Sequence, residues 1–303
     1  MQDAQRSCAA SPVAASLGRQ MPRISASIIV EFVDDRKLLF HAAGMADIAE
    51  HIGNPGFVLQ TRNLTRQFDG FFAVKNVNFR LARDSVHAVI GPNGAGKTTL
   101  FNLLTKHLAP TGGVILHEGE DVTRLKMPAM AKRGVVRSFQ ISAVFAGLTV
   151  QENVEVALLR SSGLAWNVLG RISKRSGIIE RAAALLRRFG LAEHATTMAG
   201  NLSYGRKRVL ELATTLALEP KVLLLDEPMA GLGREDIGRV TALIQEARQG
   251  RTVLLVEHNM NVVAELADTI TVMVRGEILA EGPYDDVAAN PVVIAAYTGR
   301  AHA

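Results

Sequence analysis

Residues Gly91, Pro92, Asn93, Gly94, Ala95, Gly96, Lys97 and Thr98 follow the spacing G-x-x-x-x-G-K-[ST], which restricts the fold of this chain more than any bulk property does. A backbone that wraps an anion with its N–H groups turned inward needs glycine, because only glycine accepts the required dihedrals at no steric cost. The mostly apolar run Val86, His87, Ala88, Val89, Ile90 leads into the loop as a strand, and Thr99, Leu100, Leu103 and Leu104 leave it with helical spacing. The loop is thus expected between a strand and a helix N-terminus, where unsatisfied N–H groups and the helix dipole favour phosphate. Lys97 reaches terminal phosphates, the Thr98 hydroxyl can ligate Mg²⁺, and Thr99 completes the candidate nucleotide-binding set from Gly91 onward.

The remaining composition narrows the class. At 303 residues and 48% hydrophobic content the chain can bury a substantial core, and no stretch approaches the roughly 18 consecutive apolar residues of a membrane span. The single cysteine, Cys8, excludes a disulfide framework or a thiolate metal site. A net charge of +5 invites a nucleic-acid reading, but the cations are dispersed in small groups at Lys132, Arg133 and Arg137, at Arg187 and Arg188, and from Arg206 to Arg208. They read first as solvated surface and second as a contact with the anionic face of a membrane, with no nucleic-acid partner implied.

Residues 1 to 55 open Ala/Ser-rich and sustain no periodicity, so they are expected to form a loosely ordered extension, with Met45 as an alternative start. From Phe57 the pattern sharpens. Val77, Phe79 and Leu81 alternate with Asn78 and Arg80, as in a half-exposed strand of a partly antiparallel sheet. Val222–Leu225 and Val253–Val256 are unbroken apolar runs of strand length, expected at the centre of a parallel sheet covered on both faces. Between these regions, residues 150 to 218 lean helical, with Ala182, Ala183, Leu185 and Leu186 along one side of a helix that closes at Gly190.

Three further segments carry chemistry. Val222–Leu225 runs into Asp226 and Glu227; a carboxylate at the end of a buried strand beside a phosphate loop can hold Mg²⁺ through water, and the next one can act as general base on an attacking water. Leu202, Ser203, Tyr204 and Gly205 precede a helical stretch, so that Ser203 and Gly205 offer a hydroxyl and N–H groups at a second helix N-terminus. His258 follows the apolar strand and Glu257.

In this order and spacing, these segments resemble those of ATP-binding cassette ATPases over about residues 57 to 299. The resemblance implies an α/β fold: a P-loop NTPase (RecA-like) parallel-sheet core, an antiparallel β subdomain, and an inserted helical signature subdomain at about 141–218 within an ATPase domain of 56–299. It identifies Ser203 and Gly205 as the signature motif, and Gln140, after Arg137, Ser138 and Phe139, as the glutamine that contacts Mg²⁺ and signals to a membrane partner. His258 becomes the switch histidine near the γ-phosphate, and Phe68 the aromatic that stacks on adenine, with core packing as the competing role for that phenylalanine. Thr98, Gln140 and Asp226 are then the Mg²⁺ set, and Glu227, His258 and Gln140 the catalytic set.

Two departures from the usual family text stand out. Tyr204 and Arg206 occupy the third and fifth positions of Leu-Ser-Gly-Gly-Gln, and Ala230, Gly231, Leu232, Gly233 replace Ser-Ala-Leu-Asp in the following D-loop, removing its aspartate. Both are similar to the ATPase subunits of branched-chain amino-acid importers, as are Val256 to Met260 and the tail from Asn290 and Pro291 through Ala296, Tyr297, Thr298 and Gly299. The resemblance implies ATP and Mg²⁺ as cofactors, two membrane permease subunits, a second ATPase subunit (same or sister chain) and, indirectly, a periplasmic substrate-binding protein. It places the chain at the cytoplasmic face of the inner membrane. Val144, Phe145 and Leu148 are candidates for the floor of the permease groove, with packing inside the subdomain as the alternative. Urea importers and lipid exporters share much of this text. A soluble non-transport cassette would carry a long coiled-coil insertion or a second cassette, a GTPase an Asn-Lys-x-Asp motif, and this chain has neither.

Overall fold

The computed structural model describes residues 56–138, 144–162 and 172–298. The N-terminal extension with Cys8 and Met45, the Gln140 segment and Gly299 lie outside the described residues.

The described residues open with strand β1 (Phe57–Phe68), which pairs antiparallel with β2 (Phe71–Val77) along its second half and with β3 (Arg80–Ala82) along its first. The expected alternation over Val77–Leu81 holds in burial, but the strand is split at Asn78 and Phe79. The cause is local. Thr61 Oγ1 donates to the Val77 carbonyl at 2.8 Å and accepts the Phe79 N–H at 2.9 Å, so a side chain stands in for the ladder at the break. Strands β5 (Gly112–His117) and β6 (Glu120–Asp121) complete an antiparallel sheet of order β2-β1-β5-β6.

The second sheet has six strands: β4 (Val86–Ile90), β7 (Val135–Arg137), β8 (Val222–Asp226), β9 (Thr252–Val256), β10 (Thr269–Val274) and β11 (Glu277–Gly282), in the order β11-β10-β4-β9-β8-β7. All pairings are parallel except the β10–β11 edge hairpin. Every residue of β4, β8 and β9 is buried, in keeping with the unbroken apolar runs. One layer of the core lies between the sheets, where α1 (Lys97–Leu104) inserts Leu100, Phe101, Leu103 and Leu104 beside Leu59, Val89 and Leu254.

After the short helix α2 (Met127–Lys132), the helical region contains α3 (Val150–Ser161), α4 (Ile172–Arg188) and α5 (Tyr204–Ala217). Thr149 and Glu152 form a capping box at the start of α3. Helix α4 stops as expected: Gly190 is at φ 60° and the Leu191 N–H reaches back to the Leu186 carbonyl at 2.7 Å, a six-to-one closure. Helices α6 (Arg234–Ala247), α7 (Met260–Leu266), α8 (Tyr284–Ala289) and α9 (Pro291–Thr298) complete the described residues. Val293 of α9 is buried with Ala88 and Ile90 of β4. Among the described residues no helix is long and apolar enough to cross a membrane.

Candidate functional site

The phosphate loop connects the C-terminal end of β4 to α1. Gly91 has φ 149° and a Cβ there would sit 2.1 Å from the Met273 carbonyl oxygen; Gly96 has φ 100° and a Cβ would sit 2.2 Å from the Ala73 carbonyl oxygen. No side chain but hydrogen fits at either position. Gly96 is also the N-cap of α1, and no side chain caps that helix, which leaves its first turn to an anionic ligand. Lys97 is folded back into the loop, donating from Nζ to the carbonyls of Gly91 at 2.8 Å and Pro92 at 3.0 Å. Burial lowers its pKa, while Glu227 and Asp226 act in the opposite direction.

An open cleft of about 290 Å³ joins Asn93 through Thr99 to Glu227 and His258, with Phe71 and Ala73 at its edge. The loop, the base candidate and the candidate switch histidine, drawn from separate segments of the sequence, therefore line one cleft. Phe68 sits opposite Phe71 in the β1–β2 hairpin, and the Arg66 guanidinium lies 4.4 Å from the Phe68 ring centre; the aromatic that lines the cleft is Phe71. Sequence reasoning overlooked Phe71, although the hairpin dipeptide Asp69-Gly70 that pairs the two rings was readable.

Glu227 leaves β8 with φ 48°, a left-handed conformation uncommon for a side-chain-bearing residue. Its N–H donates to the Val256 carbonyl at 2.9 Å and its own carbonyl accepts from the Ala230 N–H at 3.1 Å, so neighbouring backbone fixes the turn. His258 Nε2 lies 2.7 Å from Glu227 Oε1; an ionised carboxylate only accepts, so a hydrogen on Nε2 completes the contact. Glu257, missed by the sequence reading, is the buried organiser of this corner. Its Oε1 accepts the Met229 N–H at 2.9 Å, and its Oε2 accepts those of His258 at 2.8 Å and Asn259 at 3.1 Å.

Asp226 is buried at the end of β8. The sequence reading counted Arg137 among solvated surface cations, and the structure corrects this: Arg137 Nη2 donates to Asp226 Oδ2 at 2.5 Å with both side chains nearly inaccessible, and Nη1 bonds to Asn102 Oδ1. Parallel pairing is the cause, since Arg137 lies opposite Leu224, two residues before Asp226 and on the same face. Burial raises the Asp226 pKa, and Arg137 opposes it. Asp226 Oδ1 is buried with no hydrogen-bond partner. An orphaned carboxylate oxygen beside a phosphate loop fits a hydrated divalent cation, so the donor set suits Mg²⁺.

Ser203 and Gly205 are not brought to this cleft. Ser203 caps α5, accepting the Arg206 N–H at 3.4 Å, and Gly205 is packed so closely against the Asp236 carboxylate that a Cβ would sit 2.2 Å from Oδ2. Within a single chain the signature corner belongs to a different surface. Elsewhere, Asn153 is buried and holds the 145–149 turn, accepting from Phe145 N at 2.7 Å and donating to the Phe145 carbonyl at 3.1 Å. Phe145 itself is 57% exposed, whereas Val144 packs against the helical core. Near the end of α9, burial raises the Tyr297 pKa and the nearby Gly91 backbone opposes it, so the tail lies close to the phosphate loop.

Residues 74–230 match a family model described as ABC transporter, and residues 277–303 match one described as branched-chain amino acid ATP-binding cassette transporter. The high-affinity branched-chain amino acid transport ATP-binding protein LivG of Escherichia coli strain K12 is 42% identical over 251 residues, covering 80% of this chain and 98% of the relative. BraF of Pseudomonas aeruginosa, described in the same words, is 41% identical over 252 residues with the same coverage. Among solved structures, the ADP conformation of an ATP-binding cassette of an ABC transporter is 30% identical, with a TM-score of 0.71 over 80% of this chain and 99% of the other.

Proposed function

This chain belongs to the ABC transporter family, as an ATP-binding cassette ATPase, and on that premise we propose that it powers the import of branched-chain amino acids through separate permease subunits. The observation that carries the ATPase reading is the shared wall of the cleft: phosphate loop, Glu227 and His258 face one space of a size suited to a triphosphate. The substrate class rests on the named relatives and on the match over the C-terminal tail.

Phosphoryl transfer asks a protein mainly for positioning and charge neutralisation. The N–H groups of Gly94 to Thr98 and the Lys97 ammonium bind the β- and γ-phosphates of ATP. Thr98, Asp226 and, from the resemblance, Gln140 would hold Mg²⁺, which neutralises charge developing on the phosphate oxygens. Glu227 takes the proton of the attacking water on its carboxylate, and His258, already bonded to that carboxylate, keeps it aimed at the γ-phosphate position. Phe71, beside Phe68, offers a ring to the base.

Ser203 and Gly205 act on the nucleotide of a second cassette, either a copy of this chain or a sister ATPase. Closure of the two cassettes excludes water and completes the charge clamp, and ATP supplies force only through its preference for the closed state. The ATPase domain is assigned to 56–299, with the helical subdomain from about 141 to 218 receiving the permease, Phe145 at the contact, and the chain peripheral at the cytoplasmic membrane face.

The test uses Glu227→Gln in Mg·ATP. The variant is expected to bind ATP and to remain as a closed dimer by light scattering, alone or with its cognate subunits. Persistent monomers under all these conditions would remove the shared-site reading. Uptake of labelled leucine by vesicles carrying the whole complex tests the substrate class.

A further inference from the structure

Tyr204 is half-exposed, yet its side chain is held on two sides. Its hydroxyl donates to the Ala230 carbonyl at 3.1 Å and accepts from Arg208 Nη2 at 3.0 Å. Arg208 is itself held on α5, its Nη1 donating to Glu211 Oε2 at 2.8 Å, and its guanidinium carbon lies 5.4 Å from the centre of the Tyr204 ring. The ring covers Gly231, where φ is +74° and a Cβ would sit 3.0 Å from Tyr204 Cε1. The phenol is thus clamped between α5 and the segment 230–231, and the side-chain-free residue beneath it is what lets the two approach.

That segment is the direct continuation of the catalytic base. The Ala230 N–H donates to the Glu227 carbonyl at 3.1 Å, and the Leu232 N–H to the Met229 carbonyl at 3.2 Å, so residues 227–232 form two consecutive turns. Two hydrogen bonds therefore meet at Ala230, its carbonyl accepting from the Tyr204 hydroxyl and its N–H donating to the Glu227 carbonyl, with the Ala230 Cα between the two peptide groups. Glu227 is also the residue whose left-handed conformation is imposed by its neighbours, so a pull on Ala230 acts on its weakest point. A glycine at position 204 would have neither hydroxyl nor ring to make this connection.

We infer that Tyr204 is a positioning residue that ties the signature corner of this chain to its own Glu227, so that engagement of Ser203 and Gly205 with the nucleotide of a second cassette reports on hydrolysis in the first. This rests on the shared-site reading above. It also gives a purpose to the D-loop sequence Ala230, Gly231, Leu232, Gly233: lacking an acidic contact, it is held from within the chain.

The experiment compares the wild-type protein with Tyr204→Phe and Tyr204→Gly, in two measurements. Amide hydrogen exchange of nucleotide-free protein reads the tie itself. Exchange at 230–232 is expected to rise about two- to tenfold in Tyr204→Phe, the span of one hydrogen bond, and further in Tyr204→Gly. Steady-state hydrolysis reads its use: kcat is expected to fall by a similar factor with KM for ATP little changed, because the phosphate loop is untouched. Unchanged exchange in both variants would overturn the inference, as would altered exchange with unchanged kcat, or a loss confined to KM. Failure of Glu227→Gln to dimerise would count against the shared site alone, since the exchange measurement needs no dimer.

Discussion

The phosphate loop and the signature corner both offer a helix N-terminus to phosphate, and they prepare it in opposite ways. At α1 no side chain caps the helix, two glycines are mandatory, and Lys97 is tucked into the loop by the Gly91 and Pro92 carbonyls. At α5 Ser203 caps its own helix, and Tyr204 of the first turn, with Arg208 on its hydroxyl, ties that turn to the Ala230 carbonyl. A loop that binds its own ligand can leave N–H groups waiting because a cation stands beside them. On the proposed reading, a corner that serves another chain's ligand has to persist in water without it, and a serine cap worth about 1 kcal/mol would do that until phosphate competes for the same groups.

The contrast breaks most visibly at Lys97. Lys97→Ala is expected to weaken ATP binding about 100-fold or more in a direct titration, the loss of a charge-assisted contact. Unchanged affinity would mean the loop is not the ATP site. At the hydrolytic step, Glu227→Gln should lower kcat by about 10² to 10⁴ while leaving ATP affinity intact, the range for a general base; rapid turnover would remove Glu227 from that role. Ser203→Asp sharpens the comparison from the other side. Aspartate still caps a helix but sets a negative charge against phosphate, so the melting temperature and the ATP affinity of a lone protomer should hold while hydrolysis falls about tenfold. A matching loss of ATP affinity would place Ser203 in its own chain's site.

A separate effect, on stability rather than on nucleotide chemistry, lies away from both. His87, in β4 leading to the loop, is buried, with Nε2 2.7 Å from Thr271 Oγ1, which in turn donates to Glu281 Oε2 at 2.8 Å. The hydroxyl hydrogen is used on Glu281, so His87 donates from Nε2. Burial lowers its pKa from the ordinary 6.5 to about 4. The unfolded chain therefore takes up a proton near pH 6.5 that the folded chain refuses until about pH 4. Stability is whole above that upper value and declines as pH falls across the window, by about 3 kcal/mol at most. Melting curves of His87→Gln should be flatter there than wild type, and equal slopes would show that His87 does not set the acid limb.

What the sequence disclosed was local in the chain. The loop glycines, the apolar runs of β8 and β9, the carboxylates after β8 and the glycine closing α4 are contiguous signals, each with its own steric or hydrophobic reason. What stayed hidden depends on strand order. Arg137 reads as one more surface cation until β7 is laid beside β8, and Asn102 joins it only because α1 packs near that edge. Glu257 is hidden differently. It looks like a polar residue ending a strand, and its work is done by carboxylate oxygens reaching peptides on two loops.

That carboxylate has a mechanical consequence. Because Glu257 grips Met229 on one side and His258 with Asn259 on the other, the segment that follows Glu227 and the segment bearing the histidine hang from a common pivot. Neither can drift without dragging its counterpart, so a disturbance arriving at one is felt in phase by both, and their 2.7 Å contact survives small displacements of the pair.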